Sequence, residues 1–171
     1  MNGPAHQPAW QDTQHSLACR ADRSSDGCRS RRILSMADIH RVTPDFAVAP
    51  QISEADVEEI AAAGFKTIIA NRPDGEGGVD QPRMGPIRVK AESLGLTFAA
   101  LPFSGAPTPE IVERMGHILN EAPQPVLAYC RTGTRSVTAW ALVHSGQGAG
   151  DDIVEAAAGA GYDLSSLREL L

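Results

Sequence analysis

From about residue 36 onward the chain alternates short apolar segments with amphipathic ones, and this alternation constrains the fold more than any other feature. Four apolar segments have the length and composition of strands. They comprise residues 46–50, 67–70, 97–101 and 125–129. Strands that alternate with helices predict an α/β fold with a central, mostly parallel sheet of about four strands, flanked by helices on both faces.

Capping residues mark the predicted helices between these strands. Ser53, followed three residues later by Asp56, forms a capping box at the start of a helix that Gly64 ends. Thr108 precedes Pro109, which is typical of a hydroxyl N-cap with proline in the first turn. Further helices are predicted at about 85–94, 136–145, 151–160 and 165–171.

Charge and composition divide the chain of 171 residues into two parts. Residues 1–35 are polar, carry a net charge of +2 and lack an apolar period, so we expect a disordered N-terminal extension. They also lack the apolar core of a secretory signal, which favours a cytoplasmic location. Residues 36–171 carry a net charge of −8 and are expected to form one folded catalytic domain.

The same composition argues against several classes of protein. No run approaches eighteen consecutive apolar residues, so no membrane association is expected. A net charge of −6 argues against a general nucleic-acid binder. Three scattered cysteines and the absence of a His-x-His or His-Glu-x-x-His spacing predict neither a metal nor another cofactor.

The candidate chemistry lies in residues 130–136 (CRTGTRS), which join the last predicted strand to a helix. Ligands of open parallel sheets bind beyond the carboxyl ends of the strands. Gly133 permits a tight turn there, in which backbone N–H groups and the helix dipole form a site for an anion. This environment favours the thiolate form of Cys130, the candidate nucleophile. Arg135 is expected to bind two oxygens of an anion through its planar guanidinium.

Other side chains of the same loop are candidate substrate ligands. The hydroxyl groups of Thr132, Thr134 and Ser136 can hydrogen-bond the sulfur or the anion. Arg131 is either a ligand for an anionic substrate or a surface residue, and the sequence leaves that choice open.

Three separated segments resemble the beta-lactamase hydrolase-like, phosphatase-like domain family of bacteria. They are residues 46–53 (FAVAPQIS), 64–76 (GFKTIIANRPDGE) and 129–136 (YCRTGTRS), within roughly 38–145. The resemblance implies a compact protein-tyrosine-phosphatase-like fold and a cysteine-dependent hydrolase for a small anionic substrate such as a phosphate ester. The loop 130–136 also resembles the active loop of rhodanese-type sulfurtransferases.

The loop departs from the phosphatase pattern in length. Phosphatases of this class usually place five residues between cysteine and arginine, whereas four separate Cys130 from Arg135. They also usually have a histidine before the cysteine, where this chain has Tyr129. A shorter loop encloses a smaller ring of N–H donors, which favours a sulfane sulfur or a small anion, as in rhodaneses.

A phosphatase also needs an acid that protonates the leaving oxygen. Residues 102–108, after the third predicted strand, contain no carboxylate. Asp74 in residues 71–76 (NRPDGE) is therefore the predicted acid, and Glu76 is the second choice. Arg72 either helps to bind an anionic substrate or pairs with Asp74. Residues 73–75 are also an ordinary turn sequence.

These residues are compatible with three functions. In a phosphatase-like hydrolase, Cys130 attacks phosphorus and Asp74 protonates the leaving group, and Ser136 then helps the sulfur leave when water hydrolyses the phosphocysteine. In a rhodanese-like sulfurtransferase, Cys130 accepts sulfur from a donor such as thiosulfate and carries it as a persulfide. The third function is a non-catalytic anion-binding module. The sequence does not identify the physiological substrate or the oligomeric state.

Overall fold

The computed structural model describes residues 37–146 and 150–171. The extension predicted at residues 1–35 lies outside the described residues. The elements follow the order β1 (His40–Thr43), β2 (Phe46–Ala49), α1 (Glu54–Ala62), β3 (Thr67–Ala70), α2 (Met84–Ser93), β4 (Thr97–Ala100), α3 (Pro109–Glu121), β5 (Val126–Tyr129), α4 (Thr134–His144), α5 (Gly150–Gly159) and a final 3-10 helix (Ser165–Leu170).

The five strands form one sheet in the order β1-β2-β5-β3-β4. β1 pairs antiparallel with β2, and the other pairs are parallel, which confirms the predicted α/β fold with a mostly parallel sheet. The sheet has one strand more than the four segments identified from the sequence. β1 was not predicted because Val42 is its one buried residue, so no apolar run marks this edge strand.

Helices cover both faces of the sheet because successive strand residues point in opposite directions. Phe46 and Val48 of β2 pack into a core shared with α3, α4 and α5. Ala47 and Ala49 of the same strand face α1 and α2. Trp140 of α4 belongs to the first of these cores, and its ring stacks on Phe46 with centroids 5.7 Å apart. Every residue of β2, β3 and β5 is buried, so both faces of the sheet are covered at its centre.

Local signals placed most helix ends correctly. The capping box at α1 is formed, with the backbone N–H of Ser53 donating to Asp56 Oδ2 over 2.7 Å. Thr108 Oγ1 accepts from the backbone N–H of Ile111 over 3.4 Å at the start of α3. α4 begins at Thr134, two residues before the predicted start, because Gly133 adopts a left-handed conformation and serves as its N-cap. Within the two described ranges, no helix has both the length and the apolar character needed to cross a membrane.

Candidate active site

Cys130 lies at the carboxyl end of the central strand β5. Its backbone N–H donates to the Ala49 carbonyl of β2 over 3.3 Å, and the N–H of Asn71, after β3, donates to the Tyr129 carbonyl over 2.9 Å. Both neighbours of β5 therefore fix the chain where the loop begins. Cys130 is only 1% exposed. The site accordingly sits where parallel sheets bind ligands.

The turn after Cys130 directs a backbone N–H group back toward the sulfur. Gly133 has φ +88° and its N–H donates to Cys130 Sγ over 3.1 Å. Helix α4 begins directly after Gly133, and its first N–H groups have no carbonyl partner within the helix. The helix dipole places its positive end at the same point. This arrangement has the chemistry of an anion site.

Tyr162, which follows α5, closes the loop from outside, and no local signal in the sequence pointed to it. Its hydroxyl donates to the Thr132 carbonyl over 3.0 Å. A Cβ atom at Gly133 would overlap Tyr162 Oη, so the loop and the tyrosine fit together only with glycine there. Burial, followed by the charge that Cys130 carries when ionised, raises the pKa of Tyr162.

Arg135 is held by groups from two other loops. Its Nη1 donates to the Phe103 carbonyl after β4, and its Nη2 donates to Glu76 Oε2 after β3, both over 2.6 Å. Glu76 Oε2 also accepts from Arg72 Nε over 2.9 Å. The Arg135 hydrogen bond and then Arg72 hold the pKa of Glu76 below its ordinary value, although partial desolvation opposes them. Glu76 is therefore a bridge between two guanidinium groups.

The predicted acid Asp74 lies in a different environment. Asp74 Oδ1 accepts from the backbone N–H of Met84, the first residue of α2, over 2.8 Å. The sequence left open a pair between Arg72 and Asp74, and the structure does not form it. Arg72 instead binds Glu76 and, through Nη1, Gln51 Oε1 over 3.1 Å. With its oxygen turned to the N-terminus of α2, Asp74 also stabilises that helix.

Ser136 is fully buried and donates to Asn71 Oδ1 over 2.9 Å. Asn71 Nδ2 in turn donates to the Leu101 carbonyl over 3.0 Å, so one amide links β3, β4 and α4 behind the loop. The sequence analysis did not identify Asn71 as a residue of the candidate site. A polar residue directly after a buried strand could have indicated it. The hydroxyl proton of Ser136 is thus directed at Asn71 rather than at the sulfur.

The outer residues of the loop are exposed, namely Arg131, Thr132 and Thr134. The hydroxyls of Thr132 and Thr134 lie 3.1 Å apart and share a hydrogen bond. A cavity of about 310 Å³ opens beside Arg135, between the loop after β4 and the 3-10 helix, and Ala106, Pro107 and Leu167 line part of it. These three side chains make part of the cavity wall apolar.

The chain is similar to known phosphatase-like proteins. The beta-lactamase hydrolase-like protein of Agrobacterium fabrum is 34% identical over 103 residues, which are 60% of this chain and 24% of that protein. This chain thus spans about a quarter of that relative's length.

Solved structures show the same fold. A candidate phosphatase of Neisseria meningitidis is 37% identical, with a TM-score of 0.70 and coverage of 78% of this chain and 95% of that one. Kinase-associated phosphatase, solved with its catalytic-site cysteine replaced by serine, is 16% identical, with a TM-score of 0.58 and coverage of 78% and 90%.

These likenesses confirm the protein-tyrosine-phosphatase-like fold expected from the sequence. Residues 38–149 match the family described as beta-lactamase hydrolase-like protein, phosphatase-like domain, and the chain belongs to that family.

Proposed function

We propose that this protein is a cysteine-dependent, phosphatase-type hydrolase acting on a small anionic phosphate ester, with Cys130 as the nucleophile. The observation that carries the proposal is the hydrogen bond from Gly133 N–H to Cys130 Sγ at 3.1 Å, at the start of α4. A backbone donor and a helix N-terminus aimed at a sulfur stabilise its thiolate. Membership of a phosphatase-like family supports the same conclusion.

In the proposed first step, the Cys130 thiolate attacks phosphorus and the bond from phosphorus to the leaving oxygen breaks. Backbone N–H groups of the loop bind the phosphoryl oxygens in the transition state. Two of the five N–H donors of Arg135 bind Phe103 and Glu76 within the described residues, and its remaining donors are proposed for the anion. We assign the exposed residues Arg131, Thr132 and Thr134 to contacts with the anionic substrate.

The leaving oxygen needs a proton, which we assign to Asp74. Glu76, the second choice from the sequence, accepts hydrogen bonds from Arg72 and Arg135, which favour its ionised form over the protonated form that a donor needs. Both carboxyl groups belong to the loop after β3, and Arg72 of that loop helps to attract the anion. In the second step, water attacks phosphorus, its proton passes to the Asp74 carboxylate left by the first step, and the phosphorus–sulfur bond breaks. We assign departure of the sulfur to Ser136, whose hydroxyl turns from Asn71 to donate to the leaving thiolate.

Sulfur transfer is the second candidate, and the short spacing between Cys130 and Arg135 favours it. Here the Cys130 thiolate attacks the outer sulfur of thiosulfate, the sulfur–sulfur bond breaks and sulfite leaves. The loop N–H groups stabilise the resulting persulfide. An acceptor such as cyanide then takes the outer sulfur and regenerates the thiolate. This reaction needs no general acid, so Asp74 has no role in it.

Two assays on the full-length chain separate these functions. We expect turnover of an aryl phosphate that disappears in Cys130→Ser. Thiocyanate formation from thiosulfate and cyanide, with a persulfide on Cys130 seen by mass spectrometry, would instead establish sulfur transfer. If neither reaction occurs and both proteins bind phosphate equally, the chain is an anion-binding module and the hydrolase proposal fails.

A further inference from the structure

Tyr162 is connected to the Cys130 sulfur through a single peptide group. The Tyr162 hydroxyl donates to the Thr132 carbonyl over 3.0 Å. The N–H of the same peptide group is that of Gly133, and it donates to Cys130 Sγ over 3.1 Å. The phenol and the sulfur therefore bind opposite ends of one peptide plane.

The orientation of that peptide determines whether its N–H group or its carbonyl group faces the sulfur. With its N–H inward, the peptide stabilises a negative sulfur, whereas the opposite orientation would present the Thr132 carbonyl and repel it. Gly133 at φ +88° offers little resistance to rotation, because glycine occupies positive and negative φ about equally well. The loop sequence alone therefore does not fix the inward orientation.

Tyr162 supplies the missing constraint from a distant part of the chain. Its backbone N–H donates to the Ala157 carbonyl of α5 over 2.9 Å, and its ring lies edge-on to His40 of β1 with centroids 5.3 Å apart. Tyr162 is thus anchored on α5 by its backbone and on β1 by its ring. Its hydroxyl also lies where a Cβ of residue 133 would be, so the contact with the loop is close.

Charged groups surround this contact. On the β1 side, His40 Nε2 lies 3.2 Å from Asp38 Oδ1. On the α4 side, Arg135 is paired with Glu76. Arg131 of the loop is exposed to solvent. None of these groups is the acceptor of the Tyr162 hydroxyl, which binds the peptide carbonyl directly.

We propose that Tyr162 is a positioning residue that holds the 132–133 peptide with its N–H toward Cys130 and thereby stabilises the thiolate. A hydrogen bond to the carbonyl also polarises the peptide and strengthens the bond from its N–H to the sulfur. The inference rests on the proposed function in taking Cys130 as the nucleophile. It adds a residue that lies beyond the 38–149 segment matched by the family.

The test follows ionisation of Cys130 directly, in full-length protein carrying Cys19→Ser and Cys28→Ser so that Cys130 is the remaining thiol. Ultraviolet absorbance of the thiolate is titrated against pH, with the Cys130→Ser form of each variant as its blank. Tyr162→Phe removes the hydroxyl and should move the midpoint of the thiolate titration to higher pH. The proton concentration at the midpoint should fall by a factor of about five. Ser165→Ala, on the same segment but outside the loop, should leave the midpoint unchanged.

A second variant covers the case in which Tyr162→Phe does not fold, as judged by far-ultraviolet circular dichroism. His40→Leu keeps the hydroxyl but removes the edge contact that fixes the ring, and we expect a smaller shift in the same direction. An unchanged midpoint in folded Tyr162→Phe overturns the proposal, as does an equal shift in Ser165→Ala. A parent midpoint equal to that of free cysteine would count against the proposed function instead, and no substrate is needed for either reading.

Discussion

Arg135 Nη2 donates to Glu76 Oε2 over 2.6 Å and so links the first turn of α4 to the loop after β3, across 59 residues of sequence. The same oxygen accepts from Arg72, and the Phe103 carbonyl binds the other end of the Arg135 fork. An arginine held from two sides pays less entropy when it binds an anion, because its position is fixed in advance. The loop after β3 therefore contacts the candidate site directly, although it lies far from Cys130 in the sequence.

Glu76→Gln should lower kcat/KM for an aryl phosphate by about tenfold, since a neutral amide holds the guanidinium less firmly than a carboxylate. Steady-state kinetics measure the change. The control is Glu113→Gln, an exposed change on α3 that leaves the site untouched. Equal activity of the two variants would show that Glu76 does not position Arg135.

Glu76 also makes the stability of the fold depend on pH. Its pKa in the folded protein is lowered, mainly by the hydrogen bond from Arg135, so its stabilising contribution is present above the unfolded value of about 4.3. That contribution is lost as pH falls through the lower folded value. The free energy of unfolding, measured with urea, should be higher for the parent than for Glu76→Gln. This difference should be constant near neutral pH and should shrink in acid. A difference that grows on acidification would contradict this assignment.

Asp74→Asn separates two roles of one side chain. Asparagine keeps an oxygen that can accept from Met84 N–H, so the unfolding temperature should change little. It cannot donate a carboxylic proton, so hydrolysis should slow by about a hundredfold, and most for phosphate esters with poor leaving groups. Asp80→Asn, also exposed, serves as the control. Unchanged activity toward a poor leaving group would exclude Asp74 as the acid.

Gly133→Ala tests the close fit of the loop against a matched control. Gly64 has nearly the same backbone angle, φ +90° against +88°, but open space where a Cβ would be added. Gly64→Ala should cost about 1–2 kcal/mol of the free energy of unfolding from backbone strain alone. Gly133→Ala should cost more and should also abolish activity, because its Cβ displaces Tyr162. If both variants lost the same free energy of unfolding and Gly133→Ala kept its activity, the close fit between Gly133 and Tyr162 would be contradicted.

Ser136→Ala should leave Asn71 Oδ1 without its buried donor and cost about 1–3 kcal/mol of the free energy of unfolding. If Ser136 also helps the sulfur leave, the phosphocysteine accumulates and appears by mass spectrometry after rapid mixing with an aryl phosphate. Ser145→Ala removes a hydroxyl at the other end of α4, where it donates to the Leu142 carbonyl, and should not trap an intermediate. Turnover at the parent rate without accumulation would leave Ser136 with a structural role alone.

Signals within a few residues were sufficient for much of the architecture. The apolar runs of β2, β3, β4 and β5, the capping box at Ser53 and the N-cap at Thr108 were all found where the sequence indicated. The edge strand β1 and the exact start of α4 were not, because one buried valine and one glycine conformation leave no periodic pattern. The family resemblance carried by three short segments was also confirmed.

By itself, the sequence determined that a cysteine, a glycine and an arginine follow a buried strand, since local spacing fixes which residues share one turn. Tertiary structure alone decided which distant groups meet that turn. It paired Glu76 with Arg72 and Arg135, turned Asp74 toward α2 and brought Tyr162 onto the Thr132 carbonyl. Hydrogen bonds between separate loops depend on how the chain returns to the sheet edge, and no periodicity in the sequence records that path.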